Sequence, residues 1–205
     1  MDDRTLALLG DYADGQYGQV TAEQAATCGA DLAELVTAGF AEPVIEGVCR
    51  LRAGGHHSFP RLYAAWLRLD PTVPAWQREL PASGVVSHGA ALRLYQAGDE
   101  AGSQPEFTAP TPMAHASAQV HVAGLATDDW QPLAGLPVTT PARTLVDVAE
   151  RLDSDELARI VETLIVAGHT TAQRLREEIP ARLDRLRTVG AEHRLLAQLV
   201  TALTE

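Results

Sequence analysis

Val20-Thr21-Ala22-Glu23-Gln24-Ala25-Ala26-Thr27-Cys28-Gly29, continued by Ala30-Asp31-Leu32-Ala33-Glu34-Leu35-Val36-Thr37-Ala38-Gly39, is the stretch on which the fold turns. Thr21 carries a hydroxyl suited to the first unsatisfied amides of a helix. Gln24, three positions on, has the reach to complete a reciprocal capping box. A short helix therefore begins here and stops at Cys28-Gly29. From Ala30 to Ala38 the apolar residues Leu32, Leu35 and Val36 share one stripe, and Gly39 stands where a left-handed residue closes a helix. Two short helices joined by a tight glycine turn form the helix-turn-helix pattern.

Working outward, Asp2 to Asp14 reads as a further helix with Leu6, Leu9 and Ala13 on one face, broken by Gly15 to Gly18. After Gly39 the period becomes alternating. Phe40, Val44, Val48 and Leu51 flank a Glu46-Gly47 turn, which predicts a β-hairpin wing. Residues 1–55 are thus expected to form a winged helix-turn-helix domain. If it binds DNA, Arg50 and Arg52 are expected at the wing tip along phosphates, because arginine forks match such oxygens. Thr21, Gln24 and Thr37 on the two helices are the other candidate DNA contacts.

Charge opposes that use. Residues 1–55 hold three arginines (Arg4, Arg50, Arg52) and nine acids (Asp2, Asp3, Asp11, Asp14, Glu23, Asp31, Glu34, Glu42, Glu46), a balance of three minus nine, or minus six. Once Leu32, Leu35 and Val36 are buried, the second helix turns Asp31, Ala33, Glu34 and Thr37 outward, with no base among them. Cationic neutralisation of the DNA backbone supplies most nonspecific affinity, so weak binding is expected unless the domain dimerises or concentrates its two wing arginines. A protein-docking role for the module competes on equal terms. Asp31 and Glu34 are the candidate partner contacts on this face.

Residues 56–205 are expected to form a second domain. Phe59 to Leu69 reads as a helix burying Leu62, Ala65, Trp66 and Leu69, ended by Asp70-Pro71. Val85-Val86 precede Ser87, a natural cap for a helix through Tyr95. Between Glu106 and Val138 short apolar positions at Phe107, Val120, Val122, Leu133 and Val138 predict a small, mainly antiparallel sheet. The remainder is helical: Pro141 to Glu150, Ser154 to Ala167, Thr171 to Ile179, a break at Pro180, and two segments divided by Gly190. The fold class is therefore α+β, a winged helix-turn-helix followed by a small sheet with a helical C-terminal part.

The composition narrows the chemistry. The chain has 205 residues, is 46% hydrophobic, carries a net charge of −11, and all of its 16 basic side chains are arginine. Without lysine it cannot build a Walker A loop, a protein-kinase ATP site or a Schiff base. No apolar run reaches the roughly 20 residues that span a bilayer, and Met1-Asp2-Asp3-Arg4 lacks the features of a signal peptide, so the cytoplasm is expected and a membrane partner is not. In that compartment Cys28 and Cys49 are expected to be reduced thiols.

No catalytic residue is expected either. Ser87 lies outside any Gly-x-Ser-x-Gly elbow and fits a helix cap. His56 and His57 are adjacent, and His115 and His121 have no carboxylate at ligand spacing, so neither metal nor cofactor is expected. Asp128-Asp129 reads as solvated surface. In the run Gly135-Leu136-Pro137-Val138-Thr139-Thr140-Pro141-Ala142-Arg143-Thr144-Leu145-Val146-Asp147-Val148-Ala149, a strand feeds a helix with Pro141 preset for its first turn. Arg143 and Asp147 stand four apart, a spacing that pairs them along the exposed side of that helix at roughly 0.5 kcal/mol. They are further candidate partner contacts.

From about Gln19 to Leu175 the order of these features resembles the AbiEi family of bacterial antitoxins, the regulatory halves of AbiE-type (type IV) toxin-antitoxin systems. The likeness rests on Val20-Thr21-Ala22-Glu23-Gln24-Ala25, on Glu46-Gly47-Val48-Cys49-Arg50, on Val85-Val86-Ser87-His88, and most specifically on the run from Pro137 to Asp147. The family's wings usually carry an aromatic where Cys49 stands. The resemblance implies operator DNA and a cognate nucleotidyltransferase toxin as partners: autoregulation through the winged helix, neutralisation through the C-terminal domain. The acidic balance adds a mechanism, since a toxin acting on nucleic acid presents a cationic surface toward which a partner of net charge −11 is steered. The competing expectation is a free-standing winged-helix repressor with no toxin partner.

Overall fold

A computed structural model describes residues 3–98, 104–113 and 117–186. The chain divides into two compact units, Met1–Gly84 with Thr111–Ala118, and Val85–Pro110 with Gln119–Glu205. No helix of the described residues is long and apolar enough to cross a membrane.

The first unit runs α1 (Asp3–Gly15), β1 (Gln19–Thr21), α2 (Ala22–Thr27), α3 (Leu32–Thr37), β2 (Ala41–Ile45), β3 (Val48–Leu51) and α4 (Pro60–Leu67). The helix, turn, helix and hairpin stand in the order predicted above. A three-residue strand, β1, adds a third member to the hairpin, giving an antiparallel sheet in the order β1-β3-β2. Three residues are too few to show an alternating period, so β1 left no mark in the sequence pattern. Ile45 pairs with Val48, leaving Glu46-Gly47 as the connection, and Gly47 takes φ +74, a conformation costly for any residue with a Cβ. The core gathers Leu9, Ala13, Val20, Ala25, Leu35, Ala41 and Leu51 with the free, buried thiols of Cys28 and Cys49.

Helix α4 begins with Pro60, whose fixed φ suits a first turn. Its C-terminus is closed by Arg78, whose guanidinium donates to the carbonyls of Trp66, Leu67 and Asp70 at 2.6 to 2.7 Å and lies 4.3 Å over the Trp66 ring. Orphan carbonyls and a cation satisfy one another there. Burial pulls this arginine down to about 10.

The second unit holds β4 (Val85–Val86), α5 (His88–Leu94), β5 (Glu106–Ala109), β6 (Gln119–Val122), β7 (Trp130–Leu133), β8 (Leu136–Thr139), α6 (Pro141–Val148), α7 (Ser154–Val166) and α8 (Ala172–Leu186). Its sheet, in the order β6-β5-β4-β8-β7, is mixed. The pairs β4·β5 and β7·β8 are antiparallel, while β5·β6 and β4·β8 are parallel. Parallel pairs cannot be closed by a tight turn, so they arise from crossovers that apolar periodicity does not reveal. Helices follow the sheet as expected for an α+β chain. Helix α8 continues through Pro180 to Leu186 where a break was predicted. The proline faces solvent, and the burial of Leu175, Ile179, Arg182 and Leu183 on the opposite side holds the helix together. The predicted division at Gly190 lies outside the described residues.

Candidate functional site

In the first unit the candidate residues separate into an inner and an outer set. Thr21 and Gln24 are fully buried. They form the predicted capping box, Gln24 N donating to Thr21 Oγ1 and Thr21 N donating to Gln24 Oε1, each at 3.1 Å. Gln24 also exchanges hydrogen bonds with the buried Gln16, whose Oε1 accepts from Ala75 N at 2.8 Å. Thr21 Oγ1 donates to Pro71 O at 2.5 Å. These amides and hydroxyls tie α1, α2 and the segment after α4 into one body.

Arg50 belongs to the same inner set. It sits in the body of β3, three residues from the Glu46-Gly47 tip, and is 8% exposed. Glu42, opposite it on β2, accepts from its Nε at 2.8 Å and lies 2.7 Å from Nη2. That bond, first, and the arginine charge hold the Glu42 carboxyl below its ordinary range. Neither Arg50 nor Arg52, which follows the end of β3, stands at the tip where both were expected: the Glu46-Gly47 turn sets position 50 within the central strand of the sheet, opposite Glu42. Outward face Thr37, Glu34 and Arg52, together with Asp31, whose carboxylate caps α3 by accepting from Ala33 N and Glu34 N at 2.7 and 3.0 Å. The spacing Asp31-x-x-Glu34 carries the signature of a helix start and could have placed that cap from sequence.

In the second unit Arg143 and Asp147 pair as the spacing predicts, Nε donating to Oδ1 at 2.7 Å, but they do so inside the protein. Both side chains are almost wholly buried, which overturns the expected exposed position. The reason is tertiary: α6 is packed on several sides, and α8 covers it, so little of its surface meets water. Arg143 also lies 3.6 Å from Asp129, and Asp129 is 3.2 Å from Arg182 of α8. Arg182 donates to Asp128 O at 2.5 Å. Asp129, expected at the surface, is 2% exposed and part of an arginine-carboxylate cage. Within it Asp147 Oδ2 has no hydrogen-bond partner among the described residues. Burial pushes its carboxyl up to about 6 against the pull of Arg143.

Beside this cage the sheet assembles a group that sequence spacing concealed. Ser87 follows β4, and His88 opens α5 with φ +51, a left-handed conformation rare outside glycine. Ser87 stands at the predicted cap position but makes no capping bond; its Oγ lies 2.9 Å from His88 Nδ1. Glu106 begins β5 where that strand meets the end of β4, since Ser87 N donates to Glu106 O at 3.0 Å. Glu106 pairs with Gln119 and Thr108 with His121, so the alternation of strands puts Glu106 and His121 on one face. His121 Nε2 is 2.8 Å from Glu106 Oε2, and the His88 and His121 rings stack with centroids 3.7 Å apart. Arg151 Nη1 reaches the same Glu106 oxygen at 2.8 Å. The carboxylate that His121 lacks at ligand spacing comes from a strand fifteen residues earlier. Burial, first, then the neighbouring His121 and arginine charges, pull His88 down to about 3.

The family described as the AbiEi antitoxin C-terminal domain matches residues 71–198 of this chain. The chain belongs to the AbiEi antitoxin family. A search of curated proteins returns no match. The matched AbiEi region contains the ionic cage and the histidine-glutamate group, whereas Thr21 through Arg52 lie before it. Membership of an antitoxin family implies a toxin as partner.

Proposed function

We propose that this AbiEi protein neutralises a cognate nucleotidyltransferase toxin through its C-terminal domain and autoregulates its operon through an N-terminal winged helix-turn-helix, acting as a cytoplasmic regulator without catalysis of its own. The observation that carries the reading is the family match over residues 71–198, joined to a helix-turn-helix and hairpin in the first 51 residues.

Operator contact falls to the outward face of α3 with Thr37 and to Arg52 after the hairpin. Thr21, Gln24 and Arg50 serve it by holding the helices and strands in place. Asp3, Asp11, Asp14, Asp31, Glu34 and Glu46 of the same unit are exposed, while Arg50 is neutralised by Glu42. Affinity for DNA then comes from few phosphate contacts and has a shallow salt dependence. The same acids, Asp31 and Glu34 among them, suit a cationic toxin. Arg143 and Asp147, being buried, bear on partner binding by setting the shape of the domain around α6.

Co-expression with the neighbouring gene tests the neutralising role by rescue of growth. A chain that represses its operator yet never rescues growth is a free-standing repressor. Blocking of purified toxin that weakens as salt rises supports electrostatic recruitment, and equal blocking at low and high salt rejects it.

A further inference from the structure

We propose that His88, Glu106 and His121 form a binding site for one divalent transition-metal ion of the zinc class. Two imidazoles and a carboxylate are a donor set that such cations take, whereas magnesium and calcium favour oxygen alone. Each of the three side chains offers a donor atom, and these atoms all lie within 4.8 Å of one another. His121 Nε2 and Glu106 Oε2, at 2.8 Å, are already close enough for bonds of about 2.0 to 2.2 Å to a shared ion. Bringing His88 in requires its ring to turn from the stack on His121 so that its donor nitrogen converges with the other two.

Three independent features favour a ligand at this place. The backbone of His88 takes φ +51, a left-handed conformation uncommon for a residue with a Cβ, and its ring lies stacked on that of His121. The Glu106 side chain is 10% exposed, so its charge requires a cation at close range. Arg151 now supplies that cation from a side chain 43% exposed, and its length lets it withdraw when an ion enters. His121 remains partly exposed, which gives the ion a route in and leaves a coordination position for water. A bound ion would pin the start of α5 to β5 and β6, inside the region matched by the antitoxin family.

The purified full chain, stripped with chelator, is titrated with zinc by calorimetry and with cobalt by visible absorption. One ion per chain is expected, with cobalt bands of nitrogen and oxygen coordination and a zinc-dependent rise in Tm. H121A and E106Q should each weaken binding at least about tenfold and abolish the Tm rise. R151M should tighten it several-fold by removing the competing guanidinium. His121 is partly exposed, so H121A keeps the test valid should E106Q fail to fold. Absence of binding overturns the site, and so does binding left unchanged in H121A, which would assign the ion to other histidines.

Discussion

Arg50 and Arg143 are the same residue type with a carboxylate at close range, yet the two regions use them differently. In the hairpin, Arg50 meets Glu42 across neighbouring strands, and Glu42 remains 40% exposed, so water can take the place of a lost arginine at that carboxylate. In the second unit Arg143 and Asp147 are cut off from water and share Asp129 with Arg182. A pair at the edge of water contributes little, whereas a buried pair cannot lose one member without stranding the other. The first region thus keeps the carboxylate of its pair within reach of water, and the second encloses both charges in its own interior.

The largest effect expected from this contrast is in R143A. Stranding Asp147 and part of Asp129 should cost about 3–5 kcal/mol in urea unfolding. R143A and D147A combined should cost less than the sum of the two, and strict additivity would remove the cage from the account.

A smaller effect is the pH dependence of Asp147. Its folded carboxyl is pushed up to about 6 from an ordinary value of 3.8. The folded state therefore holds that proton more tightly, and the stability it contributes is full below the ordinary value and lost as pH rises through about 6. Relative to D147N, the wild type should lose about 3 kcal/mol across that window. A difference independent of pH would mean that Asp147 is ionised throughout.

T21A tests the local order of the first region. Loss of the capping box should destabilise it by about 1 kcal/mol, read from the unfolding midpoint, with T21S recovering most of the loss. R50A should cost less than about 1 kcal/mol and lose its effect at high salt. A penalty as large as that of R143A would erase the distinction between the two regions.

What the sequence shows follows the same division. The box of Thr21 and Gln24, the stripe of Leu32, Leu35 and Val36, and the Glu46-Gly47 turn are all written within a few neighbouring residues, and each is present in the structure. The Arg143 and Asp147 pairing was equally legible from its spacing of four, but its burial was not, since that depends on α8, some thirty residues later. Asp129 could not be told from a solvated acid before Arg182 was placed beside it. His88, Glu106 and His121 carry no common spacing, and the parallel pairing of β5 and β6 is what sets two of them on one face.

Composition and local pattern alone determined that this chain folds as α+β with a helix-turn-helix and hairpin, lacks lysine chemistry, and is strongly acidic. Only the tertiary structure decided which charges face water and which face each other. Caps, turns and amphipathic stripes are settled by contacts within a turn or two of the chain. Burial of an ion pair and convergence of donor atoms depend instead on crossovers that bring distant segments together.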